Sequence, residues 1–134
     1  MMDKIDNWKA ATESARLGRK PLVIMIDQED CPYCRIVEGE FFSAILASGE
    51  FDGKVIFGKI SLDAGEFITL PDGNRVPTWD FLQPFFTAGL TPTVIFLDPD
   101  GNELVERMVG LSTPDFYGFY LERSIRKARA LLNG

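Results

Sequence analysis

The sequence contains no histidine and only two cysteines, Cys31 and Cys34. Two cysteines cannot build a disulfide-rich scaffold, so we expect their role to be chemical rather than structural. A four-ligand zinc site would need carboxylates or a second chain, because cysteine and histidine are the preferred zinc ligands. An iron–sulfur cluster that bridges two subunits has no further support in the sequence. We therefore predict that the protein holds no metal and needs no cofactor.

Long apolar stretches and an excess of positive charge are also lacking. No apolar run approaches the ~20 residues that a transmembrane helix requires, and residues 1–6 lack the hydrophobic core of a signal peptide. The compartment therefore stays open: periplasmic if an export signal has been trimmed from the sequence, and cytoplasmic otherwise. The net charge of −6 and the pI near 4.6 argue against nucleic acid or an anionic membrane as a partner.

The composition is that of a well-packed globular protein. Apolar residues make up 46% of the 134 positions, and 11 of them are phenylalanine. A chain of this length can bury a sizeable core. We predict a single domain that spans residues 1–134.

The stretch Cys31-Pro32-Tyr33-Cys34 carries most of the chemical information. It follows residues 22–26, a short branched apolar run that is typical of a buried strand. A helix is predicted to start at Pro32, since proline is tolerated in the first helical turn. The free N–H groups and the positive end of the helix dipole would stabilise a thiolate at Cys31. Cys34 lies one turn further along the same face, where it can attack a mixed disulfide formed at Cys31.

Hydrophobic periodicity and turn residues predict the other elements of the first half. A helix is expected over residues 4–17 with Trp8 in the core, and strands over residues 21–27 and 54–62. The helix that starts at Pro32 is expected to weaken at Gly39, and Ser43 is the candidate cap of a second short helix.

The second half alternates strands, turns and helices. A hairpin is predicted from Phe67 to Val76, around the turn Pro71-Asp72-Gly73-Asn74. Thr78 is expected to cap a helix that Pro84 kinks or ends. Strands follow at residues 94–97 and 103–109, and a last helix runs from about Thr113 to Leu132.

This order of elements resembles the thioredoxin fold along nearly the whole chain. The resemblance depends on Cys31-Pro32-Tyr33-Cys34 after a core strand, on residues 89–98 with Thr91-Pro92-Thr93, and on residues 100–110. It implies an α/β protein with a central mixed β-sheet flanked by helices, an N-terminal helix, and a β-hairpin insertion before the third core helix. Pro32-Tyr33 is the glutaredoxin form of the motif. The rest is most similar to bacterial thioredoxin-related thiol–disulfide oxidoreductases, and the hairpin to exported, sulfur-oxidation-associated members.

The resemblance also assigns roles outside the cysteine motif. It implies that Pro92 follows a cis peptide bond and that Thr91 and Pro92 position the backbone of an extended substrate; a trans proline at a strand start is the alternative. The buried aspartate that thioredoxins keep six residues before the first cysteine is replaced here by Met25. Proton transfer to or from Cys34 would then use water, Lys59 or a nearby acid such as Asp27.

These expectations describe a protein-disulfide reductase. Cys31 and Cys34 are the catalytic pair, and Pro32 and Tyr33 tune the helix start and the reduction potential. The expected partners are a disulfide-bearing protein substrate and an upstream thiol reductant, with the protein itself a monomer.

Two alternatives stay open. One is a glutathione-dependent, glutaredoxin-like reductase, although the flank of the motif is acidic and Arg35 is the only nearby cation. The other is a binding or chaperone module that uses the aromatic segment around Trp79, Phe81, Phe85 and Phe86, with the cysteines as a structural staple. Two cysteines one helical turn apart close a very small loop, which gains little chain entropy.

Overall fold

The computed structural model describes residues 2–133. Its strands are β1 (Leu22–Asp27), β2 (Ile56–Ser61), β3 (Phe67–Thr69), β4 (Arg75–Pro77), β5 (Thr93–Leu97) and β6 (Glu103–Val109). Its α-helices are α1 (Trp8–Gly18), α2 (Pro32–Ile36), α3 (Ser43–Ser48), α4 (Thr78–Leu82) and α5 (Pro114–Asn133), with a π-helical segment at Val37–Phe42 and a 3₁₀ turn at Gln83–Phe85. This order is the mixed α/β arrangement of the thioredoxin fold, as the sequence predicted.

A four-stranded mixed sheet in the order β2-β1-β5-β6 forms the centre. β1 is parallel to β2 and antiparallel to β5, and β5 is antiparallel to β6. Residues 22–26 of β1 are fully buried, because helices cover both faces of the sheet.

Alternation along β1 divides the core into two clusters. Val23 and Met25 lie in one cluster with side chains of the π-helical segment, α3 and α5. Leu22, Ile24 and Ile26 lie in the other, with side chains of α1, α4 and β3. The structure is therefore a sheet between two helical layers.

The N-terminal residues differ from the prediction of a helix over residues 4–17. Helix α1 begins only at Trp8, and Asn7 caps it by accepting a hydrogen bond from the N–H of Ala10 at 3.0 Å. Residues 3–5 are instead extended along the outer edge of β2, where the Ile5 N–H donates to the Lys59 carbonyl at 2.9 Å. Trp8 is buried, as predicted.

The predicted hairpin is present as β3 and β4, but two predicted caps are wrong. Thr78 does not cap α4; its hydroxyl donates to the carbonyl of Ser61, and α4 has no side-chain cap. Ser43 is the first residue of α3 but does not cap it, because the backbone is already helical through the π segment and the Ser43 hydroxyl donates to the Glu38 carbonyl at 2.9 Å. Pro84 does end α4, which gives way to a 3₁₀ turn.

Candidate active site

Cys31 lies at the N-terminus of α2, in the loop that follows β1. Its backbone is extended while the next residue, Pro32, is already helical, so Cys31 is the N-cap residue of the helix. Its Sγ accepts a hydrogen bond from the backbone N–H of Cys34 at 3.2 Å. The sulfur atom therefore occupies the position of a capping oxygen, where helix N–H groups stabilise negative charge.

Cys31 and Cys34 form a disulfide in the structure. Both residues are buried, with 6% and 3% of their surfaces exposed, whereas Tyr33 between them is 58% exposed. The exposed side chains of Pro32 and Tyr33 therefore surround a sulfur pair that is itself largely shielded from solvent.

Thr91 and Pro92 lie against the first cysteine. The Thr91–Pro92 peptide bond is cis, and the Thr91 hydroxyl contacts Cys31 Sγ at 3.4 Å and the side-chain oxygen of Gln28 at 3.1 Å. The Pro92 carbonyl accepts a hydrogen bond from the N–H of Gly110 at 2.7 Å. The segment that the resemblance assigned to substrate binding is thus next to the cysteine assigned as the nucleophile.

A charged cavity lies behind Cys34. Cys34, Asp27, Glu38 and Lys59 all line it. The Lys59 ammonium group is bound by both carboxylate oxygens of Glu38, at 2.9 and 3.1 Å, and both side chains are mostly buried. The two residues that the sequence proposed for proton transfer, Lys59 and Asp27, are therefore brought to the same cavity as Cys34.

Asp27 is the acid whose titration the cavity changes most clearly. The pKa of Asp27 is raised to about 6, mainly because the carboxyl group is buried; Lys59 opposes the rise, and the negative charges of Glu38 and Asp63 add to it. Its Oδ1 atom is buried and has no hydrogen-bond partner among residues 2–133. A carboxyl group that titrates near neutral pH is suited to accept and return a proton.

Sequence reasoning missed Glu38 and Asp63. Glu38 is four residues after Cys34, a spacing that places two side chains on one face of a helix, so its spacing could have identified it. Asp63 accepts hydrogen bonds from the N–H of Glu29 at 2.8 Å and from the hydroxyl of Ser61 at 2.6 Å, which ties the loop before Cys31 to the end of β2. No local sequence pattern indicates that contact, because it joins residues 34 positions apart.

The aromatic segment that the alternative binding or chaperone module would use is only partly exposed. Trp79 is 50% exposed and contacts Phe86 edge-on at 5.9 Å between ring centroids. Phe81 instead packs against Trp8 of the core at 5.0 Å. Trp79 is therefore the main exposed ring of the segment.

Residues 2–133 contain no helix long and apolar enough to cross a membrane. They also contain no group of three or more cysteine or acidic side chains placed to hold a metal ion.

Comparison with known proteins agrees with this geometry. A family model described as a thioredoxin-like domain matches residues 8–123. A thioredoxin from Nicotiana alata is 24% identical, with 96% of each chain covered and a TM-score of 0.61. A thioredoxin from Thermus thermophilus is 20% identical, covering 95% of this chain and 87% of that one, with a TM-score of 0.63. The DsbH oxidoreductase is 15% identical, covering 94% and 86%, with a TM-score of 0.62. No curated protein sequence matches significantly.

The fold and the cysteine pair at a helix N-terminus define a class: thioredoxin-fold proteins with a Cys-X-X-Cys motif, which are thiol–disulfide oxidoreductases. The family match covers most of the chain. The chain belongs to the thioredoxin-like domain family, and its Cys31–Cys34 pair is able to form a disulfide.

Proposed function

We propose that the protein reduces disulfides in a partner protein. The thiolate of Cys31 attacks one sulfur of the substrate disulfide, so that the substrate S–S bond breaks and a mixed disulfide forms. The thiolate of Cys34 then attacks Cys31 Sγ, which releases the substrate as two thiols and leaves the Cys31–Cys34 disulfide. An upstream thiol reductant returns two electrons and two protons to the pair.

The observation that carries this proposal is the environment of Cys31 Sγ. It receives the N–H of Cys34 at 3.2 Å and lies 3.4 Å from the hydroxyl of Thr91. Both donors favour the thiolate over the thiol, which is the form that attacks a disulfide. Pro92 follows directly, so a substrate chain held by its backbone would bring its disulfide to Cys31.

The second step requires that Cys34 lose its proton. Asp27 lines the same cavity and carries a pKa near neutrality, so it can take that proton directly or through water. Lys59 favours the ionised form of Asp27, and Glu38 holds Lys59 in place. Asp27 thus takes the part of the buried aspartate that Met25 replaces.

The direction of electron flow follows from which state the surroundings stabilise. A strong disulfide donor has a reduced form stabilised by groups that favour its thiolate. Among residues 2–133, only Cys34 N–H and the Thr91 hydroxyl donate to Cys31 Sγ, and Glu29 and Asp30 precede it. Neither donor is a cation, so the Cys31 thiolate is stabilised less than it would be beside a charged side chain. The reduced pair is then the better electron donor and tends to reduce its partner.

The test uses insulin as the disulfide substrate and dithiothreitol as the reductant. Wild type should accelerate the precipitation of reduced insulin chains, and Cys31→Ser should lose this activity. Cys34→Ser should accumulate a covalent adduct with insulin, visible by mass spectrometry, because the resolving thiol is missing. An adduct that forms on Cys31→Ser but not on Cys34→Ser would reverse the assigned roles.

A further inference from the structure

A groove runs between the outer edge of β6 and helix α5. One wall is the backbone of residues 105–110, and the other is formed by Tyr117, Tyr120, Arg123 and Lys127. It is separate from the charged cavity behind Cys34 and takes no part in the redox steps described above.

The wall formed by β6 is an unpaired sheet edge. β6 is the last strand of the order β2-β1-β5-β6, and no segment among residues 2–133 pairs with its outer side. The opposite edge, β2, is covered by residues 3–5, whose backbone bonds to Lys59. An exposed edge presents a row of N–H and C=O groups that an extended chain can bind as an added strand.

The wall formed by α5 is positively charged. Neither Arg123 nor Lys127 forms an ion pair among the described residues. Arg107 also lines the groove, but Glu103 neutralises it, and Glu106 contributes one negative charge. The groove is therefore locally positive on a chain of net charge −6, which favours an acidic occupant.

Two aromatic features suit the groove to a peptide. The Arg123 guanidinium lies over the ring of Tyr120 at 5.1 Å, which holds the cation at the groove wall. Tyr117 is only 3% exposed, and its hydroxyl is buried at the groove with no hydrogen-bond partner among residues 2–133. Burial raises the pKa of Tyr117, so the buried hydroxyl stays protonated.

The groove also begins next to the redox site. Gly110 lines its end, and the N–H of Gly110 donates to the carbonyl of Pro92 at 2.7 Å. A chain that lies against Pro92 can therefore continue into the groove without crossing the protein.

From these observations we infer that the groove binds an acidic, extended segment of the substrate protein as an additional strand on β6. Arg123 and Lys127 bind its carboxylates, and the edge of β6 binds its backbone. The inference rests on the proposed reductase function, since it names the kind of substrate that the redox site receives.

The experiment uses three synthetic peptides that share one intramolecular disulfide. The first ends at the disulfide, the second continues into eight alternating Val and Glu residues, and the third into eight alternating Val and Lys residues. Two charged contacts at an exposed site should favour the acidic over the basic tail roughly tenfold in kcat/KM at low salt. Arg123→Glu/Lys127→Glu should remove this preference.

Lys9→Glu/Lys54→Glu is the matched control. It changes the net charge by the same amount at two exposed cations outside the groove, neither of which forms an ion pair among residues 2–133. It should keep the preference. If both double variants lose the preference for the acidic tail equally, net charge selects the tail and the inference is overturned. The absence of any preference in wild type would overturn it as well.

Two further arms separate the parts of the inference. Methylating alternate backbone nitrogens of the acidic tail should abolish the preference, and an unchanged preference would overturn strand addition. Sedimentation of wild type and of Arg123→Glu/Lys127→Glu should show the same monomeric species. If wild type is instead a dimer and Arg123→Glu/Lys127→Glu is a monomer, the occupant of the groove is a second copy of this chain.

Failure of the proposed function can be distinguished from failure of the groove. If the peptide without a tail is not reduced, the reductase proposal fails. Fluorescence anisotropy of labelled acidic and basic tails then measures binding without turnover, and tighter binding of the acidic tail to wild type alone would still support the groove. Equal binding of both tails would overturn it.

Discussion

At the scale of single residues, the feature that most affects mechanism is the position of Asp27. It lies two residues beyond Met25 on β1, and alternation along a strand places both side chains on the same face. Met25 is paired with Lys59 across the parallel strands, and Asp27 with Ser61 at the strand end. The acid is therefore displaced along the strand toward the end where Cys34 lies, which leaves it in the same cavity as Lys59.

Replacing Asp27 with Asn should change how stability depends on pH. The folded-state pKa of about 6 exceeds the ordinary value of 3.8, so the folded protein binds this proton more tightly than the unfolded chain. Wild-type stability from this group is fully present below 3.8 and falls as the pH rises toward 6. The free energy of unfolding of Asp27→Asn should not show this decrease with pH, so the variant should be more stable than wild type at pH 7 in urea unfolding. Asp3→Asn, at an exposed position, is the control and should follow wild type.

The same substitution should slow the release of substrate. Without the carboxylate, Cys34 loses its proton acceptor, and general base catalysis by a positioned side chain contributes about 10²-fold or more. We expect resolution of a preformed mixed disulfide at Cys31 to slow by about that factor at pH 7, as followed by stopped flow. A wild-type rate that rises through pH 6 and an Asp27→Asn rate that does not would support the role. Identical profiles would contradict it.

The sequence predicts roles for Asp27 and Lys59 but not the contact between Lys59 and Glu38. Lys59 is predicted from the resemblance, and Asp27 from its position near the cysteines. The partner of Lys59 is Glu38 on the helix after Cys34, and periodicity shows only that Glu38 shares a face with Cys34. That this face points at Lys59 depends on how the helix packs on the sheet, which no local pattern specifies.

At the scale of elements, the helical run from α2 to α3 shows how a local rule can be overridden. Serine at position 43 favours a helix start only where its own backbone is extended. Here its φ and ψ are −60° and −40°, because the π segment carries the helix through Gly39 without a break. The hairpin β3–β4 was predicted correctly because Pro71-Asp72-Gly73-Asn74 determines its turn locally: the Asp72 carboxylate accepts the N–H of Asn74 at 2.9 Å, and Gly73 has a φ of +90°.

Alanine substitution at two helical glycines tests this reading of the helices. A Cβ at Gly39 would meet nothing within 4 Å, so Gly39→Ala should stabilise the protein by roughly 0.5–1 kcal/mol through reduced backbone entropy of the unfolded chain. Gly118 in α5 is the matched position, but a Cβ there would lie 3.2 Å from Cδ1 of Phe41. Phe41 packs on Tyr117 with ring centroids 5.0 Å apart, so it has little freedom to move. Gly118→Ala should therefore gain less than Gly39→Ala, or lose stability, in urea titrations.

Equal gains in stability at both positions would show that the Phe41 side chain can move away from the added Cβ at little cost. A loss at Gly39 would show that the π segment needs glycine, against the open space that surrounds this position.

At the scale of the whole molecule, the two edges of the sheet differ in whether another segment of the chain covers them. The β2 edge is closed by residues 3–5, and the approach of this segment depends on Gly58, where a Cβ would lie only 2.5 Å from Cδ1 of Ile5. The β6 edge is open and leads to the redox site. Strand order could be predicted from the resemblance, whereas this asymmetry could not, because the N-terminal residues have a spacing typical of a helix and are held extended by long-range backbone pairing.

The reduction potential of the Cys31–Cys34 pair is the most direct test of the central claim. The pair would be equilibrated in glutathione and dithiothreitol buffers, and its oxidised fraction measured by mass spectrometry after alkylation. A reductase predicts a value near that of thioredoxin, about −270 mV. A value near −120 mV would make the protein a disulfide donor and contradict the proposed direction. A pair that cycles in neither buffer would contradict thiol–disulfide exchange itself.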